Sequence, residues 1–300
     1  MKNGVQYMFN SELSEQIPEE TKWKQISTCC GSPVIRLMPS DRVFCKYWEM
    51  SFCMPVLVVI LTLISYFTFW ISNFPELKSG YKTICPIIAT FFLIMFQYTY
   101  FSAACKDPGY LPYDWIRTRK FKYDWPELMS GLAIREDQKK FAQKYKPPFA
   151  SFSNSTGLYI IRADHICGWV TNWVGKRNHK DFILMLFYGF LYSLFLIISR
   201  FFVKDGNSFL QSGYIFLSLM SFSIELLFSF LLLSALIENL FNAALNKTSV
   251  SEYKGRPNQN NGCLNSCSEI CGDNSVCCWV CPTQAFDENL TIEYEALSTL

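Results

Sequence analysis

The chain has 300 residues, half of them hydrophobic and 17% aromatic, against 17% charged and a net charge of +2. Such apolarity beside an ordinary charge content has to be segregated into runs, which points to a membrane protein. The thirteen cysteines are odd in number, fall partly inside apolar runs and include two adjacent pairs, which excludes a disulfide framework and fits reduced thiols facing the cytosol.

Residues 1–50 are polar and mixed, without a charged-then-apolar leader, so no secretory signal peptide is expected and the first span serves as its own anchor. A hydrocarbon core about 30 Å thick needs roughly 20 helical residues. Four runs qualify, predicted as transmembrane helices over 51–74, 81–104, 181–203 and 209–235. Pro55 and Pro86 stand near span starts, where a missing backbone donor does least harm. The fourth run carries Glu225, and its helical pattern continues through IENLFNAALN.

From Lys106 to Lys180 there are fourteen Lys and Arg, whereas the short links NFPELKSGYK and KDGNS hold three between them. The positive-inside bias therefore places both termini and the 105–180 loop in the cytosol. The expected fold is an all-α integral membrane protein: four transmembrane helices with a cytosolic loop domain between helices 2 and 3, and a cytosolic tail, 236–300, carrying a cysteine cluster. Sequons at Asn154, Asn246 and Asn289 would then never meet the glycosylation machinery and are read as chance matches.

The loop opens on Asp107-Pro108-Gly109, a chain reversal. The stretch from Phe121 to Pro148 is charged and partly helical by pattern, and reads as a solvated face. Further on, Asp164-His165-Ile166-Cys167 places a histidine two residues before a cysteine. In an extended chain, residues i and i+2 point the same way, so both side chains can face one pocket. An imidazole that takes the thiol proton makes a competent nucleophile, and Asp164 could fix its tautomer, provided that a turn lets adjacent side chains meet. The alternative is a packed or lipidated cysteine.

Together these motifs resemble the DHHC family of protein S-acyltransferases, four-span membrane enzymes with a cytosolic cysteine-rich loop. The resemblance rests on Asp107-Pro108-Gly109, Lys146-Pro147-Pro148, Asp164 to Cys167, Gly168-Trp169-Val170, Asn172, Val174-Gly175, Asn178-His179 and Phe182. After the fourth span, Asn261-Gly262 and Asn265 to Gly272 look like the family's C-terminal signature, and Thr248 to Glu252 is a loose Thr-Thr-x-Glu with one residue too many.

The resemblance implies an acyl-enzyme on Cys167, with His165 as base and Asp164 as its orienting group. It also implies two structural zinc ions. Here Ser151, Phe152, Ser153, Thr156 and Tyr159 stand where ligands are expected, Ile166 replaces a ligating histidine and Trp173 a cysteine. No zinc is expected, and Phe149, Phe152, Tyr159, Ile160, Ile161, Ile166, Trp169 and Trp173 are expected to hold the loop by apolar packing.

The leading reading is thus a zinc-independent protein S-palmitoyltransferase that uses palmitoyl-CoA or another long-chain acyl-CoA, with Lys176, Arg177 and Lys180 as candidates for the coenzyme A phosphates or as positive-inside anchors. An inactive membrane scaffold that binds acyl-CoA or a partner is the alternative, and an unrelated transporter built on Glu225 is a third. Expected partners are the bilayer and proteins with cytosolic cysteines, not nucleic acid, at an endomembrane (ER/Golgi) or plasma membrane. Cys263, Cys267 and Cys271 share a helical face, and S-acylation of the tail cysteines is favoured over a metal site.

Overall fold

A computed structural model describes residues 53–109, 150–152, 159–204, 215–255, 262–272 and 276–286, together with the backbone of four N-terminal strands. Lys146-Pro147-Pro148, Phe149, Ser153, Thr156, Asn261 and the sequons at Asn154 and Asn289 lie outside the described residues, as do the side chains of Phe152 and Tyr159. The chain divides into two units.

The first unit takes residues 1–50, 109–162 and 288–300. Its strands β1 (Lys24–Cys29), β2 (Ser32–Arg36), β3 (Val43–Cys45) and β4 (Trp48–Glu49) form an antiparallel meander in sequence order, with Val34 opposite Cys45 and Phe44 opposite Glu49. Val34, Ile35, Val43 and Phe44 are residue types that suit a pleated surface. This sheet adds to the helical plan. A second antiparallel pair joins β5 (Ser151–Phe152) to β6 (Tyr159–Ile160), followed by a turn in which Arg162 takes a left-handed φ of 48°.

The second unit, 51–108 and 163–287, holds the helices. They are α1 (Cys53–Thr68, widening into a π-turn over Phe69–Asn73), α2 (Ile84–Cys105), α3 (His179–Ser199) and α4 (Ile215–Ala244). Four helical segments, Met54–Asn73, Ser79–Cys105, His179–Phe202 and Ile215–Ala244, are long and apolar enough to cross a bilayer. The chain is mostly helical and multi-pass, an integral membrane protein. α4 runs to Ala244, so the extension read in IENLFNAALN is helix.

The most enclosed helix is α3, packed between α2 and α4. At Gly189 a Cβ would come within 2.8 Å of the Phe96 ring and 3.0 Å of Leu232, so only glycine lets these three helices close. One apolar cluster lies on the loop side, around Tyr100, Val170, Val174, Phe182 and Leu186. The other lies at the far end, around Phe69, Leu77, Tyr192, Leu196 and Val203. There the two short links are tied by Lys78 N–H to the Phe202 carbonyl, 3.1 Å, and Lys204 N–H to the Glu76 carbonyl, 2.9 Å.

Candidate active site

Strand β7 (His165–Cys167) pairs with β8 (Asn172–Val174), His165 opposite Val174 and Cys167 opposite Asn172. Alternation along β7 sends His165 and Cys167 to one face and Ile166 to the other, where it is 52% exposed. Cys167 is buried, 7% exposed. Asp164 lies just ahead of the strand, and its Oδ2 is 2.7 Å from His165 Nδ1. An ionised carboxylate only accepts, so Nδ1 carries the proton and Nε2 is left for the thiol. His165 and Cys167 share that face and are near enough for each to shift the titration of the other. The relay therefore closes between adjacent residues because Asp164 precedes the alternating strand.

A second element completes the carboxylate. Helix α5 (Ser249–Tyr253) begins over Asp164: Ser249 N–H donates to Oδ1 at 2.8 Å, Ser249 Oγ lies 3.4 Å from it, and Val250 N–H donates to the Asp164 carbonyl at 3.2 Å. Thr248 caps α5, and its capping box closes with Ser251, not with Glu252. Ser251, not Glu252, therefore stands at the third position after the cap. Ser249 was not a sequence candidate, since 85 residues separate it from Asp164.

Burial alone would push Asp164 and Cys167 up and His165 down. Hydrogen bonding and charge outweigh it. His165, the charge of His179 and the Ser249 amide hold Asp164 well below the usual carboxylate range. His165 and the backbone N–H groups of Val170 and Trp169 lower the Cys167 thiol. Asp164 and Cys167 raise His165 to about 9. Both shifts run in the direction that lets the imidazole take the thiol proton.

The hairpin is fastened to α2. Asn172 Nδ2 donates to the carbonyls of Ala104 and Lys106 at 3.0 and 2.9 Å, Asn178 Nδ2 donates to Ala103 at 3.0 Å, and Tyr100 OH donates to the Trp169 carbonyl at 2.8 Å. Those helix-end carbonyls have no partner within α2 itself, so the asparagines serve as its cap. Packing by Ile166 and Trp169 does not hold the loop as expected: Trp169 is 46% exposed, with its ring edge to Phe228 of α4. Ile160 and Ile161 are buried.

The three basic candidates do not converge on one phosphate site. Lys176 Nζ donates to Glu269 Oε2 and to the Glu269 carbonyl, both at 2.6 Å, and lies 4.3 Å from the Phe286 ring centre. Arg177 pairs with Asp107 at 2.8 Å. Lys180, 2% exposed, donates to the carbonyls of Cys278 and Thr283 and to Thr283 Oγ1. Each ties α3 or its approach to another segment.

Tetrahedral zinc needs four nitrogen or sulfur donors. From 106 to 180 the sequence offers His165, Cys167 and His179, and the first two serve each other. Among the described residues no group of three or more His, Cys, Asp or Glu is placed to hold a metal. This donor set does not fit the family's zinc sites.

Comparison with known proteins agrees with the motifs. The family model of the DHHC palmitoyltransferase matches residues 134–256. Probable protein S-acyltransferase 13 of Arabidopsis thaliana is 32% identical over 179 residues, 55% of this chain and 59% of that protein. Probable protein S-acyltransferase 14 of the same plant is 27% identical over 224 residues, 67% of this chain and 73% of the relative. Probable protein S-acyltransferase 12 is 29% identical over 165 residues, 50% and 55%. The chain spans less than two thirds of the length of the first and third of these relatives. Asp164, His165 and Cys167 lie inside the segment that matches the DHHC palmitoyltransferase family model.

Proposed function

We propose that this protein is a protein S-acyltransferase that moves a long-chain acyl group, palmitoyl above all, from acyl-CoA to substrate cysteines without structural zinc. The observation that carries the proposal is the Asp164–His165–Cys167 relay, closed at 2.7 Å on its carboxylate side. In the first step His165 holds the thiol proton and Cys167 sulfur attacks the thioester carbonyl. The carbon–sulfur bond to coenzyme A breaks, and His165 returns the proton to the leaving thiolate. In the second step a substrate thiol gives its proton to His165 and attacks the acyl-enzyme, and Cys167 leaves and regains a proton. Bond types balance at each step, so the site needs to position and activate thiols more than to supply energy.

The acyl tail is assigned to the apolar surfaces among the four spans, which would have to part to admit it: the cavity lined by residues including Val58, Phe96, Gly189 and Leu232 is about 40 Å³. Any direct contact of coenzyme A phosphates with Lys176, Arg177 or Lys180 requires exchange of an internal partner, so their proposed contribution is mainly positive potential. The loop and both termini face the cytosol in this reading, and the substrates are cytosolic cysteines of proteins at that membrane.

The test is hydroxylamine-sensitive loading from labelled palmitoyl-CoA, using protein in which Cys263, Cys267, Cys271, Cys277, Cys278 and Cys281 are serine. Loading that requires Cys167 and survives a zinc chelator is expected. A folded, acyl-CoA-binding protein that never loads would leave the scaffold reading in its place.

A further inference from the structure

The tail carries a seven-residue run without charge, Val276 to Pro282, VCCWVCP, that the acyl-transfer reading does not use. Its path is fixed by two residues of α3. Lys180 Nζ holds the Cys278 carbonyl at 3.0 Å and the Thr283 carbonyl at 3.1 Å, while Tyr188 OH donates to the Val280 carbonyl at 2.7 Å. Between its two contacts with Lys180, the chain therefore runs along α3 toward Tyr188 and returns.

Eight residues of helix span roughly 12 Å. Two extended residues reach at most about 7 Å. The Tyr188 side chain makes up the rest by leaning back toward the helix start.

The level of this turn follows from its neighbours. Lys106 and Asp181, paired at 2.8 Å, mark where α2 ends and α3 begins. Lys180 sits at that boundary, and the turn lies inside it, alongside the apolar span His179–Phe202. In lipid, every backbone polar group needs a protein partner. The turn meets this demand for the carbonyls of Cys278, Val280, Cys281 and Thr283, the first also accepting from Cys281 N–H at 3.2 Å and the third from Thr283 N–H at 2.7 Å. At its tip Val280 is 52% exposed and Cys281 is exposed, with the polar Thr283 and Gln284 exposed where the chain returns toward Lys180.

We propose that the turn from Cys278 to Thr283 is a re-entrant lipid contact, with Val280 and Cys281 among the acyl chains of the loop-side leaflet and Lys180 as its buried clamp. The occupant of this surface is the bilayer, not a protein partner.

The test uses native thiols in the full chain, held in phospholipid nanodiscs after hydroxylamine has cleared any thioester. Cys263 and Cys281 are both exposed in the structure. A charged methanethiosulfonate and the neutral N-ethylmaleimide are applied separately, and each thiol's rate is normalised to its rate in denatured protein and read by peptide mass spectrometry. The charged reagent is expected to label Cys281 at least about tenfold more slowly than Cys263, with the neutral reagent labelling both within about threefold. Equal labelling by the charged reagent would place the turn in water, and protection of Cys281 from both reagents would place it under protein; either overturns the proposal.

Discussion

Two polar clusters are sunk into this bundle, and they are finished to different degrees. At the far end Arg200 and Glu225 face each other fork to fork, with Nη2 2.9 and 2.8 Å from the two carboxylate oxygens, Ser221 donating to Glu225 and Arg200 Nη1 donating to Ser218. At the loop end Asp164 is satisfied in the same manner, but the groups it supports end in a thiol and an imidazole that is partly open. A buried charge with all its partners is a closed structural unit, whereas chemistry needs one member of the network with capacity to spare. The contrast separates the intramembrane carboxylate that invited a transporter reading from the carboxylate of the proposed relay.

The sharpest break is Cys167→Ala, expected to abolish hydroxylamine-sensitive loading in the tail-serine protein while binding of acyl-CoA persists. Next is Glu225→Leu, which strands the Arg200 charge and should cost about 3–5 kcal/mol in thermal unfolding, whereas Arg200→Leu with Glu225→Leu should recover most of that loss. A single variant no worse than the double would show that the pair is not closed. Asp164→Asn should slow loading about a hundredfold and also lower the unfolding temperature, because the imidazole loses its orienting charge and the fold loses a stabilising carboxylate.

A finer cut is Ser249→Pro. Ser249 is the first residue of α5, where proline fits, and Thr248 before it is already extended at φ −128° and ψ 150°. The N–H to Asp164 is removed together with the weak hydroxyl contact, and loading should fall about tenfold. Ser249→Ala, which loses just a 3.4 Å hydroxyl contact, should stay within about twofold.

The smallest effect is in pH. His165 is raised to about 9, so the stability it contributes as an imidazolium is complete below its unfolded value of about 6.5 and is lost as pH climbs through 9. Asp164 is lowered, so its contribution is present above the ordinary carboxylate range and lost as pH falls. Cys167 is lowered, so its contribution grows over the same window and opposes that of His165; the melting temperature of the parent should change little from about pH 6.5 to 9, and Cys167→Ala should expose the His165 decline.

The spans were legible because an apolar run of bilayer length has few other uses, and the His165 and Cys167 pairing was legible because strand alternation is a local rule. Contacts that join distant segments were not. Glu225, which as an isolated intramembrane carboxylate suggested a transporter, is bonded to Ser221 on its own helix and chiefly to Arg200, 25 residues away. Lys176, Arg177 and Lys180 read as phosphate ligands or anchors, yet their partners are Glu269, Asp107 and Thr283, which no periodicity links to them. The zinc ligands were missing from the sequence outright, but that Asn172 and Asn178 fasten the hairpin by capping α2 could be seen only once the helix end and the hairpin stood together.

That fastening makes α2 a depth gauge. Because Tyr100, Ala103 and Ala104 hold the hairpin that carries Cys167, the sulfur rides on α2 as a fixed attachment. In a thinner or thicker bilayer the helix tilts to match, and the nucleophile travels with it. Its distance from the lipid headgroups is then set by the helix and the membrane together, before any substrate arrives.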